Sequence, residues 1–202
     1  FFVDSFYLNF TIFDFLTKLI TMKYNQQWLC EKYNIGESIK YLFFWGHQPS
    51  KDGSPSKACF SQWWQSPFKV NNEVFITAEH WMMVQKARLI GDESTAEKIL
   101  QAKSPAEAKK LGRLVKNFDS KIWDYHKFEI VVEGNFYKFS QDIALKEFLL
   151  STTNRVIVEA SPVDAIWGIG MASDHPDVEN PMEWEGENLL GYALMEVRDR
   201  LM

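Results

Sequence analysis

The chain has 202 residues, 46% of them hydrophobic, enough for one domain with a substantial core. A formal charge of −5 argues against a protein that grips nucleic acid mainly through its phosphates, leaving a local basic patch as the only route to such contact. Two cysteines, Cys30 and Cys59, and four histidines, at 47, 80, 126 and 175, show no metal-ligand spacing. Neither a disulfide framework nor a zinc site is indicated, and metal-independent chemistry in a reducing cytoplasm is expected.

Residues 1–21 are apolar and aromatic but are interrupted by Asp4, Asp14 and Lys18. They make neither a good transmembrane helix nor a good signal peptide. They are expected to lie outside the domain, with 1–36 as an N-terminal extension and 37–202 as the domain proper. The run Ile39 to Trp45 reads as a buried strand, followed by a Gly, Pro, Ser and Lys-rich loop over 46–57 that is expected to be mobile. Phe68-Lys69-Val70 and Glu73-Val74-Phe75-Ile76 flank Asn71-Asn72, two residues that tolerate positive φ, which predicts a hairpin.

That hairpin leads into the stretch on which the chemistry centres. Thr77 is a good N-cap, and Glu79 follows where the helix dipole favours negative charge, so its carboxylate is expected to stay ionised. Glu79, Met82, Met83, Lys86 and Ile90 recur at helical spacing, placing a carboxylate and an ammonium on one largely apolar face. The same spacing also describes an ordinary solvated helix face.

Further on, Ser104-Pro105-Ala106-Glu107 combines a capping serine, a proline at the first helical position and a glutamate able to reach back, predicting a helix over 105–112. Lys109, Lys110, Arg113 and Lys116 form a local positive surface, either solvated or a phosphate clamp. Asp119 can cap a core helix carrying Trp123, His126, Ile130 and Val131, and Ser140 another carrying Ile143, Leu145, Phe148 and Leu149. Val156-Ile157-Val158 has strand composition and runs into a turn-rich segment, 164–170, where Gly168 and Gly170 allow close backbone approach and Trp167 offers a ring face. Residues 171–187 read as a surface loop or lid, and a helix over about 188–201 stripes Leu190, Leu194, Val197 and Leu201 against the core.

Taken in order, Phe60-Ser61-Gln62-Trp63, Thr77-Ala78-Glu79-His80, Gln85-Lys86-Ala87, Gly112-Arg113, Lys138-Phe139, Leu149-Leu150-Ser151-Thr152, Val158-Glu159-Ala160-Ser161, the segment Asp164 to Gly170, Asn188-Leu189-Leu190-Gly191 and Leu194 to Arg198 closely resemble the YbiA-like, or NADAR, family from about 40 to 201. Many relatives have Asn where this chain has Gln62, and Tyr where it has Ile166.

The resemblance implies a compact, predominantly helical α+β domain with a small antiparallel sheet, and cleavage of an N-glycosidic bond to ribose. The substrates it implies are a phosphorylated ribosylamino-pyrimidine of riboflavin synthesis or an ADP-ribosylated guanine in nucleic acid, with no cofactor and no membrane. Breaking such a bond builds positive charge on C1′ and the ring oxygen, which a fixed carboxylate stabilises; Glu79 or Asp164 could serve. Lys86, as a neutral amine, could instead attack C1′ of a ring-opened ribosylamine and form a Schiff base. Glu79, Lys86 and Asp164 are therefore the catalytic candidates. Trp167, Arg113, Gly168, Gly170, Asn188 and Ser61 are the substrate-binding ones. Two competing readings are a non-catalytic module binding ADP-ribose or a related nucleotide, in which Glu79 and Lys86 form a structural ion pair, and a site built on Glu159 and His80. For His80 a satisfied structural hydrogen bond is the stronger expectation.

Overall fold

The computed structural model describes residues 22–202, so the reading made for residues 1–21 falls outside the described residues. Helix α1, Gln26–Asn34, is capped by the Asn25 side chain and buries Leu29. It docks on the C-terminal helix, Tyr24 donating its hydroxyl proton to Asp199 at 2.8 Å and Tyr192 donating to Gln26 at 3.2 Å. Strand β1, Tyr41–Phe44, follows, and a single 3-10 turn over Lys57–Phe60 buries Cys59 and Phe60.

The predicted hairpin is present as β2, Phe68–Val70, and β3, Glu73–Phe75, paired antiparallel. Asn71 and Asn72 have φ of 47° and 72°, the left-handed geometry that their side chains make accessible. Helix α2 spans Ala78–Leu89, α3 spans Glu93–Leu100 and α4 spans Pro105–Gly112. At α4 the Glu107 carboxylate accepts from the Lys103 amide at 2.8 Å while Ser104 accepts from the Glu107 amide at 3.2 Å. The long α5, Ser120–Ser140, is capped by Asp119 as expected. It runs through Ser140, so Ser140 does not cap the next helix. Asp142 caps α6, Ile143–Ser151, accepting from Leu145 N at 3.0 Å, and Ile143 faces solvent.

Strand β4, Val156–Glu159, lies beside β1 in parallel, Tyr41 opposite Val156 and Phe44 opposite Glu159. This second two-stranded sheet is parallel rather than antiparallel, and such a pairing needs the long crossover that the helices between its strands supply. The chain from Ala160 to Asn188 forms neither helix nor strand, yet it buries Met171, Val178 and Trp184, and Trp184 donates to the Val178 carbonyl at 2.8 Å. Helix α7, Leu189–Leu201, then packs on β4 and α5, with Leu190, Leu194 and Val197 in the core. Helix α2 sits at the centre, packed by α3, α4 and α5. Eight of its residues are buried, which is why a period-matched amphipathic stripe describes it poorly. Among the described residues no helix is long and apolar enough to cross a membrane.

Candidate active site

A cavity of about 560 Å³ opens where the carboxyl ends of β1 and β4 meet the flank of α2. Loops that leave two parallel strands side by side diverge from the sheet and leave a crevice, and here Trp45 to His47 follows one strand and Ser161 to Trp167 the other. The 61–63 segment and the C-terminal end of α4 complete the wall.

Glu79 stands in the first turn of α2. Thr77 caps that turn, accepting from His80 N at 3.4 Å, and the Glu79 amide donates to the Gln62 carbonyl at 2.9 Å. Gln62 is itself held by Asn135, to which it donates at 3.1 Å. The Glu79 side chain is 2% exposed and its Oε1 has no hydrogen-bond partner. The expectation that Glu79 stays ionised holds only in part: burial pushes its pKa up to about 7, helped by Asp164 and opposed by Lys109, Trp63 and Lys86, so both forms are populated at neutral pH. Desolvation of a buried carboxylate outweighs the first-turn dipole, which acts over a fraction of a charge.

Lys86, two turns along the same face, is half-buried and donates to the Gly112 carbonyl at 2.9 Å. Its ammonium lies 4.2 Å from the Phe118 ring centre and 5.9 Å from that of Trp123. Burial holds its pKa below the usual lysine range, Arg113 pushes in the same direction and Glu79 opposes. Arg113 is exposed at the cavity rim, one turn beyond Lys109, whose ammonium is 5.9 Å from the Trp63 ring centre.

Asp164 lines the opposite wall, its Oδ1 accepting from the amides of Ile166 at 2.9 Å and Trp167 at 2.8 Å. Ser61 and Trp167 also line the cavity. Gly168, Gly170 and Asn188 do not. A Cβ on Gly168 would lie 2.8 Å from the Glu159 carbonyl and 2.9 Å from that of Asp164, and Gly170 has φ of 67° against Glu185. Asn188 is fully buried, accepting from the Glu159 amide and donating to the Ile157 carbonyl, both at 3.0 Å. These three residues shape the turn from behind rather than face a ligand.

His80 points away from the cavity, satisfied by Thr77 at 2.8 Å and by the Ala102 carbonyl at 3.1 Å, as expected of a structural histidine. Glu159 behaves differently. It lines the cavity, its Oε2 is buried without a partner, and burial pushes its pKa up to about 8, with Asp164 and Glu79 adding to the shift and Lys109 opposing it. Its position at the end of an apolar strand entering a glycine-rich turn is the local signal for such a residue. Among the described residues no group of His, Cys, Asp and Glu could hold a metal ion.

The arrangement is a slot lined by carboxyl groups, cations and indole rings, with Lys109 near enough to Glu79 and Glu159 to oppose the protonation of both. The NADAR domain model matches residues 43–202, the segment that builds every wall of this slot. The chain belongs to the NADAR domain family. It is 45% identical over 168 residues to N-glycosidase R617 of Acanthamoeba polyphaga mimivirus, covering 81% of this chain and 97% of that protein. It is 32% identical over 142 residues to N-glycosidase YbiA of Escherichia coli (strain K12), covering 70% and 78%. The NMR structure of E. coli YbiA superposes with a TM-score of 0.63 at 29% identity, covering 80% of this chain and 84% of that one. Like these NADAR relatives, the chain is an enzyme of the N-glycosidase type. In it the family domain brings Glu79, Glu159 and Asp164 into one cavity with Lys86, Lys109 and Arg113.

Proposed function

We propose that the cavity hydrolyses the C–N bond between a base and a phosphorylated ribose, a ribosylamino-pyrimidine phosphate being the favoured substrate. The observation that carries this reading is the gathering of buried carboxyl groups and cations in one cavity. Lys109 and Arg113 at the rim suit phosphate oxygens, and the buried Glu79 and Glu159 each retain an oxygen without a protein partner. An oxocarbenium-like transition state is positive at C1′, and an ionised Glu79 buried in the pocket stabilises it more than it stabilises the neutral ground state. The acidic protein as a whole favours a small metabolite; ADP-ribosylated guanine in nucleic acid is the second reading, favoured by the cations near 109–116.

Two routes fit. In the first, ionised Glu79 takes a proton from water as the water oxygen attacks C1′ and the base departs. In the second, the neutral Lys86 amine adds to C1′ of the ring-opened sugar and expels the base as an amine, and water then hydrolyses the resulting imine to return the lysine. The depressed pKa of Lys86 supports the second route, and the absence of a Glu79–Lys86 hydrogen bond speaks against a purely structural ion pair. Asp164 anchors the loop that presents Trp167, whose ring can stack on the base.

The test is chromatographic. The purified protein is incubated with a phosphorylated ribosylamino-pyrimidine and, separately, with a guanine-ADP-ribosylated oligonucleotide, each with and without borohydride. Release of base from the pyrimidine substrate alone is the expected result. A borohydride-trapped adduct on Lys86 selects the imine route, and turnover without an adduct selects direct hydrolysis. Binding without turnover of either substrate overturns the proposal in favour of a nucleotide-binding module.

A further inference from the structure

The reaction has a requirement that neither Glu79 nor Lys86 meets. A pyrimidine amine or guanine nitrogen is a poor leaving group as an anion, so a proton must reach it while the C–N bond breaks. In direct hydrolysis Glu79 receives a proton, and in the imine route Lys86 must itself be neutral. We propose that Glu159 is the general acid, donating its carboxyl proton to the departing nitrogen.

Glu159 is set up for this by its surroundings. Its main chain is fixed on both sides: the Glu159 amide donates to Asn188 Oδ1 at 3.0 Å, and its carbonyl accepts from Ile169 N at 2.9 Å. The register of β4 against β1 places it opposite Phe44 at the last rung of the sheet, so the side chain leaves a rigid element directly into the cavity. Its Oε2 is buried and has no donor or acceptor within the protein, and a structural carboxyl group that deep would ordinarily be paired. The unmatched oxygen is where a substrate nitrogen completes the hydrogen bonding. The groups facing it are Glu79 from α2, Asp164 from its own loop and Lys109 from α4. Two carboxylates against one ammonium, together with burial, favour the protonated form, and the resulting pKa near 8 keeps a proton available at neutral pH.

The balance is complete on either route. Glu159 loses its proton to the leaving nitrogen. In direct hydrolysis Glu79 gains one from water, and transfer through solvent between the two carboxyl groups resets the site. In the imine route Lys86 passes a second proton to the leaving nitrogen and forms a protonated imine, and the water that hydrolyses it restores the neutral amine and returns one proton to Glu159.

The inference rests on the glycosidase reading, so the experiment separates the two. Glu159→Gln and Glu159→Asp are compared with the wild type on a series of substrates whose leaving nitrogens differ in basicity, from about pH 5 to about pH 10, with kcat and KM taken separately. Wild type inactive on the whole series refutes the glycosidase reading and, with it, this one. Given wild-type turnover, the expected result for E159Q is a kcat loss of about 100-fold or more on the most basic leaving groups, shrinking toward none on the least basic. Its profile should also lose the basic limb, and E159D should keep that limb at reduced rate. A uniform loss across the series with the basic limb intact, or no loss at all, overturns the assignment. Thermal melts of both variants show that the fold is retained.

Discussion

The ammonium of Lys138, fully buried in α5, donates to the carbonyl of Ser61 at 2.9 Å and to that of Cys59 at 2.5 Å. One charge thus ties the longest helix to the 59–63 segment, which in turn holds the Glu79 amide through the Gln62 carbonyl. Burial lowers the Lys138 pKa to about 8. Lys138 lies outside the cavity lining, so its influence on the reaction runs through the loop.

Lys138→Met removes the ammonium from the Cys59 carbonyl and leaves the Ser61 carbonyl with the Trp64 amide alone, and a buried group that loses its partner costs about 1–3 kcal/mol. Removing the buried charge offsets part of this. The expected outcome is a urea midpoint lower than that of the wild type, together with a fall in kcat larger than the change in KM, since the loop positions Glu79 rather than contacting substrate. An unchanged kcat in a folded variant would show that the loop keeps its place without the ammonium.

The stability contributed by two buried carboxyl groups should fall as pH rises from 4.5 to about 8. Glu79 and Glu159 have folded pKa values of about 7 and about 8, above their ordinary value of 4.5, so over this window the native state binds more protons than the unfolded chain. Their contribution is fully present below pH 4.5 and is lost as pH rises through about 8. Tm measured across that range should decline for the wild type and decline less for E159Q, which should be the more stable protein at the alkaline end. A Tm independent of pH in the wild type would contradict the burial of both groups.

Arg113→Ala and Lys109→Glu should each raise KM for the phosphorylated substrate by about tenfold or more, the scale of one charge-assisted hydrogen bond. Neither change should raise KM for the corresponding dephosphorylated ribosylamine, although kcat can move because Lys109 acts on Glu79 and Glu159 and Arg113 on Lys86. Equal effects on both substrates would place the two cations in general packing instead.

Gly112→Ala tests the junction between α2 and α4. A Cβ there would fall 2.1 Å from Met83 Sδ and 2.9 Å from Met83 Cγ, and the Gly112 carbonyl is the acceptor for Lys86. Overpacking of this kind costs about 1–3 kcal/mol. Reduced thermal stability should accompany reduced activity, and Met83→Ala in the same chain should recover part of the stability by opening the space.

Local chemistry was enough to place the Asn71-Asn72 turn, the Ser104-Pro105-Glu107 helix start, the Thr77 and Asp119 caps, and the common face of Glu79 and Lys86. Each depends on residues within a few positions of one another, where backbone geometry and hydrogen bonding are set by the neighbouring side chains. Ser140 shows the limit of that logic: it has capping chemistry, but α5 continues through it and Asp142 takes the role. The raised pKa of Glu79, the pairing of β1 with β4, and the contrast between Glu159 facing the slot and Asn188 supporting it from behind were decided only in three dimensions. Burial is a property of everything packed around a residue, and parallel strands meet through a long crossover, so neither leaves a mark on the few residues beside it.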